Sequence, residues 1–306
     1  MSRLTITLTL TLALAGCATE PPEPVVCDTD APLVRAAERD VLVRQTPSEP
    51  VGALVLFHGL GETACTWWDR TEGRRLGDLA LAEGLLVVAP DSGKRSWGTG
   101  WPDNDDVAAV DAALTELVSG GVLPDVLPAA ALGHSNGGVF APIWAETTGA
   151  WESIAAVDAN GWGSDAIGSD ASPPPLLFIR AANDLVVPPG MTKAAADRAE
   201  DAGHVVESIK NVRQPVTATR LARIEGLSNE DAQRVVDGLD DAGLLDGERR
   251  LNVNPRLDAR WRDAIPDDLR SLEAAVEEQL HVLYAEHRFS SDNSDAILRF
   301  VADRLP

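Results

Sequence analysis

One serine stands in a sequence context that is typical of a catalytic nucleophile. Ser135 lies in the pentapeptide GHSNG (133–137), which fits the pattern G-x-S-x-G. The apolar run 129–132 predicts a buried strand before it, and residues 139–147 predict a helix after it. A serine on so sharp a turn projects its hydroxyl above the sheet edge and needs glycine neighbours. The pattern therefore predicts a nucleophile, although by itself it also fits a glycine-rich turn.

A serine hydroxyl attacks a carbonyl carbon only when a base accepts its proton and a carboxylate orients that base. After a G-x-S-x-G turn, the acid and then the histidine are expected further along the chain. The sequence contains 5 histidines, and His287 stands in a break between two helices predicted for residues 269–286 and 294–304. His287 is therefore the expected base. His281, in the middle of a predicted helix, is the alternative.

The expected acid is Asp184, which ends the segment that follows the predicted strand 176–180. Its carboxylate would accept the Nδ1 proton of His287 and stabilise the imidazolium ion. The same aspartate also fits a turn or a helix cap. Asp158, which follows the preceding predicted strand, is the alternative acid.

The oxyanion of a tetrahedral intermediate needs hydrogen-bond donors that are fixed in advance. One expected donor is the backbone N–H of Asn136, the residue after the serine. The other is the backbone N–H of Leu60, in the loop HGLG that follows the predicted strand 52–57. His58 begins this loop and is expected to shape it and to border the substrate pocket.

Several tryptophans also lie in loops that follow predicted strands. Trp97, Trp101 and Trp162 are expected to line the substrate pocket. Aromatic rings in such loops form apolar acyl pockets or stack on sugar rings. For each single tryptophan, packing that anchors its loop is the alternative.

The elements that must position these residues alternate along the chain. Almost entirely apolar runs are separated by helical patterns, which predicts a mostly parallel sheet with helices on both faces. Near residue 211 the pattern changes to two short helices and a small wing that resemble a winged-helix module. Its arginines are matched by acidic residues, which argues against DNA binding. We therefore predict a core of residues 39–210 and 285–306, interrupted by a helical cap insertion of residues 211–284.

The charge and the length limit the function further. The 306 residues include 26 Lys and Arg against 48 Asp and Glu, which gives a formal net charge of −22. This charge disfavours nucleic acid and anionic membrane surfaces as partners. The length suits one large α/β domain with an insertion. No spacing of Cys and His is typical of a metal site, and no cofactor is expected.

The first residues predict export. Arg3 precedes the apolar run 4–15, which is too short to span a bilayer and is typical of a signal peptide. The sequence LAGC resembles a bacterial lipobox, which implies a signal peptide of residues 1–16 and lipid attachment to Cys17. An ordinary secretory signal is the alternative. Residues 17–38 then form a polar tether, and the protein is expected in the cell envelope or outside the cell.

The two remaining cysteines fit the same interpretation. In an oxidising compartment Cys27 and Cys65 are expected to form a disulfide. Two free thiols are the alternative, because a disulfide requires a Cα separation that a sequence does not reveal.

Four segments in order resemble the α/β-hydrolase superfamily: FHGLGE, GHSNGG, AANDLVVP and AEHRFSS. The segment PDSGKRSWG and the GHSNGG turn are most similar to polyhydroxybutyrate depolymerases, feruloyl and acetylxylan esterases, and dienelactone hydrolases. The resemblance implies an α/β-hydrolase fold and an exported serine hydrolase that cleaves carboxylic esters through an acyl-enzyme. A peptidase or amidase with the same triad is one alternative, and a non-catalytic surface binding module is another. The long insertion before His287 departs from the family pattern, in which a short loop is expected.

Overall fold

The computed structural model describes residue 27 and residues 32–100, 104–163 and 174–306 of the chain. Within these ranges eight strands form one sheet. The strands are β1 Leu33–Ala36, β2 Arg39–Arg44, β3 Gly52–Phe57, β4 Leu85–Pro90, β5 Pro128–His134, β6 Glu152–Ala159, β7 Leu176–Ala181 and β8 Val206–Asn211.

The order of the strands across the sheet is β1-β2-β4-β3-β5-β6-β7-β8. The pairs β1–β2 and β2–β4 are antiparallel, and all other neighbouring strands are parallel. The chain therefore winds in one direction from β3 to β4 and in the other from β5 to β8. Parallel strands end at the same edge, so the loops after β3, β5 and β7 lie together. This arrangement confirms the predicted fold class, an α/β-hydrolase fold with a mostly parallel sheet.

Helices cover both faces of the sheet. The helices are α1 Thr66–Asp69, α2 Thr71–Ala82, α3 Asp105–Ser119, α4 Asn136–Thr147, α5 Pro189–Asp201, α6 Ala218–Leu221, α7 Asn229–Asp241, α8 Glu273–Leu283 and α9 Ser294–Ala302. Short 3₁₀ turns occupy Ala259–Arg262, Asp267–Leu272 and Ser291–Asn293. Side chains of α3, α4 and α5 pack on one face of the sheet, and those of α2 and α9 pack on the other.

The alternation of side chains along β3 shows how the core is divided. Ala53, Val55 and Phe57 belong to the apolar cluster that includes α3, α4 and α5. Leu54 and Leu56 belong to the cluster that includes α2 and α9. Successive side chains of a strand point to opposite faces, and here both faces are buried. This explains why the central strands are continuous apolar runs in the sequence.

The insertion has an apolar core of its own, formed by side chains between residues 216 and 284. Ser228 caps α7 by accepting a hydrogen bond from the N–H of Asp231 at 3.1 Å. Two isolated antiparallel bridges, Leu245–Leu251 and Pro215–Arg250, lie where the wing was expected. The segment thus packs around itself and contacts the hydrolase core with its outer surface.

Two elements differ from the sequence-based expectation. The hairpin partner β1 was not predicted, because four residues of mixed polarity carry no clear alternation. The last helix of the insertion was predicted to continue to residue 286, but α8 ends at Leu283. Ala285 adopts a φ of 58°, which turns the chain away from the helix and toward His287.

A disulfide joins the N-terminal segment to the start of α1. Cys27 and Cys65 have Cα atoms 5.1 Å apart and are bonded. The predicted lipidation residue Cys17, the predicted signal peptide and most of the predicted tether lie outside the described residues. In the ranges that are described, no helix is long and apolar enough to cross a membrane.

Candidate active site

Ser135 occupies a strained turn between β5 and α4. Its φ of 57° and ψ of −118° lie in a region that non-glycine residues rarely adopt. A Cβ atom on Gly133 would lie 1.8 Å from the carbonyl oxygen of Gly137, and one on Gly137 would lie 2.2 Å from that of Phe57. Only glycine fits at either position. The close backbone contacts therefore explain both glycines of the G-x-S-x-G pattern.

The structure brings Ser135, His287 and Asp184 together. His287 Nε2 lies 2.8 Å from Ser135 Oγ, and His287 Nδ1 lies 2.6 Å from Asp184 Oδ2. All three side chains are buried. With the Nδ1–H donating to the carboxylate, Nε2 carries a lone pair that faces the serine hydroxyl. This is the arrangement that activates a serine as a nucleophile.

The carboxylate of Asp184 also organises its own loop. Its Oδ1 atom accepts hydrogen bonds from the N–H groups of Val186 and Val187, both at 2.8 Å. These bonds leave Oδ2 to face His287. The turn role and the acid role, which were alternatives in the sequence, are thus compatible in one side chain.

Three hydrogen bonds connect the loop of Asp184 to the loop of His287. The backbone N–H of Asn183 donates to Ala285 O at 2.9 Å, and its side-chain amide donates to Tyr284 O at 2.6 Å. The N–H of Leu185 donates to Glu286 Oε1 at 3.1 Å. The relative position of the acid and the histidine therefore depends on these bonds as well as on their own contact.

An ion pair with Arg256 of the insertion holds Glu286, which is one of the residues that link the Asp184 loop to the His287 loop. The side chain of Glu286 is 0% exposed, and its Oε2 atom lies 2.8 Å from Arg256 Nε and 2.6 Å from Arg256 Nη2. Arg256 belongs to the insertion, whereas Glu286 directly precedes His287. The insertion thus supplies the cation that balances a buried carboxylate beside the candidate base.

The loop after β3 holds the second predicted oxyanion donor. The backbone N–H groups of Leu60 and Asn136 donate no hydrogen bond to any residue that the structure describes. The Leu60 side chain is 70% exposed, so the loop is not fixed by burial at this position. Both amides stay available to a ligand, and their role as oxyanion donors stays a prediction.

His58 and Trp97 lie in the core, so the prediction that they line a pocket was wrong. Trp97 is 2% exposed, and its ring stacks on Phe140 with the ring centroids 4.6 Å apart. Its Nε1–H donates to His58 O at 3.0 Å. The backbone N–H of Trp97 donates to Asn136 Oδ1 at 2.7 Å, and the side-chain amide of Asn136 donates to Trp97 O at 3.1 Å. The loop after β4 therefore folds over the serine turn. There the large ring of Trp97 is buried, which stabilises the loop more than contact with a solvent-filled cleft would.

The imidazole of His58 fixes the loop that carries Leu60. Its Nδ1–H donates to Gly59 O at 2.8 Å, and its Nε2 accepts from the N–H of Ser92 at 3.1 Å. This pair of bonds requires the neutral ring. Burial lowers the pKa of His58, which favours the same neutral form.

The other predicted residues take varied positions. Trp162 is half-buried, and Trp101 lies outside the described residues. His281, the alternative base, is buried and contacts Glu286 at 3.9 Å, and burial lowers its pKa to about 4. The hydrogen bonds of Ser135 and Asp184 involve His287 instead. No group of three or more His, Cys, Asp or Glu side chains in the described ranges is arranged to hold a metal ion.

Asp158, the alternative acid, has a separate structural position. It is buried at the end of β6 and accepts hydrogen bonds from the N–H groups of Gly161 at 2.7 Å and Gly163 at 3.2 Å. Burial raises its pKa from 3.8 to about 7, against the opposite effect of these two bonds. Its carboxyl group therefore shapes the loop after β6.

We expect Asp158→Asn to change how stability depends on pH. Between pH 3.8 and about 7 the folded state keeps a proton that the unfolded state loses. The native residue therefore lowers the free energy of unfolding as pH rises through this interval. Relative to the native protein, the variant should gain several degrees in melting temperature between about pH 4 and about pH 7. Scanning calorimetry measures this, with the exposed Asp197→Asn as control, and a pH-independent difference would contradict it.

Sequence reasoning missed three residues that support the site: Glu62, Arg256 and Glu286. Glu62 accepts a hydrogen bond from the N–H of Gly59 at 2.8 Å and so helps to hold the loop after β3. Glu62 directly follows HGLG and Glu286 directly precedes His287. Their position next to predicted site residues could therefore have indicated both of them. Arg256 had no such signal, because it is 30 residues from its partner.

Comparisons with known proteins find similar chains among solved structures only, and at low identity. No protein-family model matches the chain, and no curated protein matches it. A ferulic acid esterase structure is 14% identical, with 59% of this chain and 88% of that chain covered and a TM-score of 0.47. An acetyl xylan esterase from Aspergillus awamori is 13% identical, with 57% and 80% covered and a TM-score of 0.45. An acylaminoacyl peptidase from Pyrococcus horikoshii is 15% identical, with 56% and 34% covered and a TM-score of 0.41.

The assignment of the fold rests on the molecule itself. The sheet has the doubly wound order given above, with the strained serine turn directly after β5. The acid follows β7 and the histidine precedes α9, so both reach the sheet edge at which Ser135 lies. The chain therefore has the α/β-hydrolase fold.

Proposed function

We propose that this protein is a serine hydrolase that cleaves carboxylic esters through an acyl-enzyme. One observation carries the proposal: hydrogen bonds of 2.8 and 2.6 Å link Ser135 Oγ through His287 to Asp184. The serine is held in a strained conformation, and such strain persists at functional sites when the surrounding structure enforces it. A turn that served packing alone would need neither the strain nor the buried acid.

The proposed reaction follows from this geometry. His287 Nε2 accepts the hydroxyl proton while Ser135 Oγ attacks the ester carbonyl carbon, and Asp184 stabilises the resulting imidazolium. The amides of Leu60 and Asn136 donate to the oxyanion. The C–O bond to the alcohol then breaks, and His287 returns its proton to the leaving oxygen. Water attacks the acyl-enzyme with His287 again as base, which releases the acid and restores the serine.

The proposal is tested with paired substrates that differ in the scissile bond. Purified protein is assayed with p-nitrophenyl esters of increasing acyl length, and with acetyl and feruloyl sugars, hydroxybutyrate oligomers and p-nitroanilides. We expect ester turnover far above that of Ser135→Ala. Turnover of anilides without esters would replace the proposal with an amidase, and the absence of all turnover would favour a binding module.

We also propose that the protein is exported and held at a membrane by a lipid on Cys17. The disulfide between Cys27 and Cys65 supports export, because disulfides persist in oxidising compartments. In a bacterial host that lipidates exported proteins, Cys17→Ser is expected to move the protein from the membrane fraction to the soluble fraction. Labelled palmitate should enter the native protein and not the variant. A native protein found in the cytosol with free thiols would contradict this proposal.

A further inference from the structure

A small cavity, lined by both polar and apolar side chains, lies beside the candidate active site on the flank of His287. It has a volume of about 20 Å³, which is room for one oxygen-sized group. Its walls include His134 from the serine turn, Arg288 from the histidine loop, Trp67 from α1 and Glu278 from α8 of the insertion. The ring centroids of His134 and His287 are 5.0 Å apart, so the cavity is adjacent to the candidate base.

Two nitrogen atoms at this cavity lack a hydrogen-bond partner. Trp67 Nε1 and His134 Nε2 are buried, and neither is bonded to any residue within the described part of the chain. The indole N–H acts only as a donor, and a buried donor without an acceptor is costly. Burial lowers the pKa of His134 well below its ordinary value, so its ring is neutral. A ligand in the cavity could therefore supply the hydrogen-bond partner that each of these two nitrogen atoms lacks.

Arg288 adds a third donor to the same space. Its Nη1 donates to His287 O at 2.8 Å, and it forms no salt bridge with a described carboxylate. Burial, and then the nearby guanidinium of Arg70, lower the pKa of Arg288. Arg288 and Trp67 both line the cavity.

Glu278 provides the acceptor. Its side chain is largely buried, and its Oε2 atom lies 4.0 Å from Arg70 Nε, at the limit for an ion pair. Burial raises its pKa to about 7. The carboxylate thus has a weak partner in the protein and is free to accept a hydrogen bond from a group in the cavity.

The other two carboxylates of the cavity are already satisfied. Glu62 binds Arg70 at 2.5 Å and the N–H of Gly59 at 2.8 Å. Glu72 accepts from Gln279 at 2.9 Å and from the N–H and hydroxyl of Ser291, both at 2.7 Å. The unmet hydrogen-bonding capacity is therefore concentrated in the donors Trp67 and Arg288, in the neutral imidazole of His134 and in the acceptor Glu278.

We propose that this cavity binds a hydroxyl group of the ester substrate. A hydroxyl oxygen accepts from Trp67 and Arg288 while its O–H donates to Glu278, so a hydroxyl on the substrate satisfies both kinds of partner in the place of a bound water. A carboxylate would face the carboxyl group of Glu278, and an alkyl group would leave the buried donors without partners. The inference rests on the proposed function. It adds that the insertion, through Glu278, helps to select hydroxylated esters.

The test uses matched ester pairs that differ by one hydroxyl. On the acyl side, p-nitrophenyl 3-hydroxybutyrate is compared with p-nitrophenyl butyrate, and on the alcohol side glycerol monoacetate is compared with propyl acetate. We expect one of the two pairs to show a preference in kcat/KM of roughly 10- to 100-fold for the hydroxylated ester. The pair that shows it identifies which half of the substrate enters the cavity.

Two variants and one control locate the preference. Trp67→Phe removes the indole N–H, and Glu278→Met removes the acceptor, so each should bring the kcat/KM ratio close to one. Glu277→Met, on the same helix but outside the cavity lining, should keep the ratio. Thermal melting verifies folding, and if one variant does not fold the other provides the same ratio.

The outcomes separate the two proposals. If esters are hydrolysed with a ratio near one in both pairs, the cavity holds ordered water only and this inference is wrong while the proposed function stands. A native preference that survives both variants would place the selective site elsewhere and would also overturn it. Absence of ester turnover would overturn the proposed function, and this inference with it.

Discussion

Ser135→Ala is expected to lower kcat for the best ester substrate by roughly 10⁴- to 10⁶-fold. The substitution removes one oxygen atom, the one that lies 2.8 Å from His287 Nε2. No bond to the acyl group can then form, and only binding and oxyanion stabilisation remain. We expect the variant to fold, because the change adds no atom to the tight serine turn. Initial rates of ester hydrolysis, measured for both proteins at the same known protein concentration, give the loss.

A matched control compares loss of the proposed nucleophile with loss of a buried serine hydroxyl outside the active site. Ser294 is also buried, and its Oγ atom has no hydrogen-bond partner among the described residues. Ser294→Ala should therefore retain kcat. His287→Ala in the Ser135→Ala background should cause little additional loss, because residues that act as one unit are not additive. Independent, multiplying losses would contradict a shared mechanism, as would a Ser135→Ala variant with native turnover.

Arg256→Met is expected to destabilise the protein by about 3 kcal/mol and to lower kcat as well. The substitution leaves the carboxylate of Glu286, which is 0% exposed, without its cation. The effect belongs at the lower end of the range for broken buried pairs, because the Arg256 side chain is 34% exposed and water can partly replace it. Glu286 also accepts from the N–H of Leu185, so a shift of its carboxylate would move Asp184 relative to His287.

Urea unfolding and steady-state kinetics at neutral pH measure both effects. Arg260→Met is the control, since Arg260 is an exposed insertion arginine whose partner is also at the surface. It should change stability by less than about 0.5 kcal/mol. Arg256→Lys should recover part of the loss, and Arg256→Met with Glu286→Met should recover stability because no charge remains buried. A native unfolding midpoint for Arg256→Met would contradict the role of this pair.

The parts that could be predicted from the sequence are those with a local pattern. The central strands of the sheet, such as β3 and β4, are continuous apolar runs because both of their faces are buried, and so the fold class could be predicted. Gly133 is required by a backbone contact with Gly137, four residues away, and Gly137 by contacts with the backbone at the end of β3, so both glycines of the serine turn are visible as a motif. Ser135, Asp184 and His287, the residues chosen by order along the chain, are brought together by the structure.

The parts that could not be predicted depend on packing between distant segments. A tryptophan in a loop can face the cleft or the core, and the sequence did not reveal that Trp97 packs on Phe140. Arg256 and Glu278 meet the active-site region only because the insertion folds around its own core and lies against α2 and the histidine loop. Contacts of this kind leave no periodic signal in the chain.

The most direct test of the central claim is covalent labelling of the serine. The native protein is incubated with a fluorophosphonate, and the site of modification is mapped by mass spectrometry of the intact protein and its peptides. We predict one adduct per chain, located on Ser135, with none formed in Ser135→Ala and much slower labelling in His287→Ala. An unlabelled native protein, or an adduct on another residue that persists in Ser135→Ala, would contradict the account.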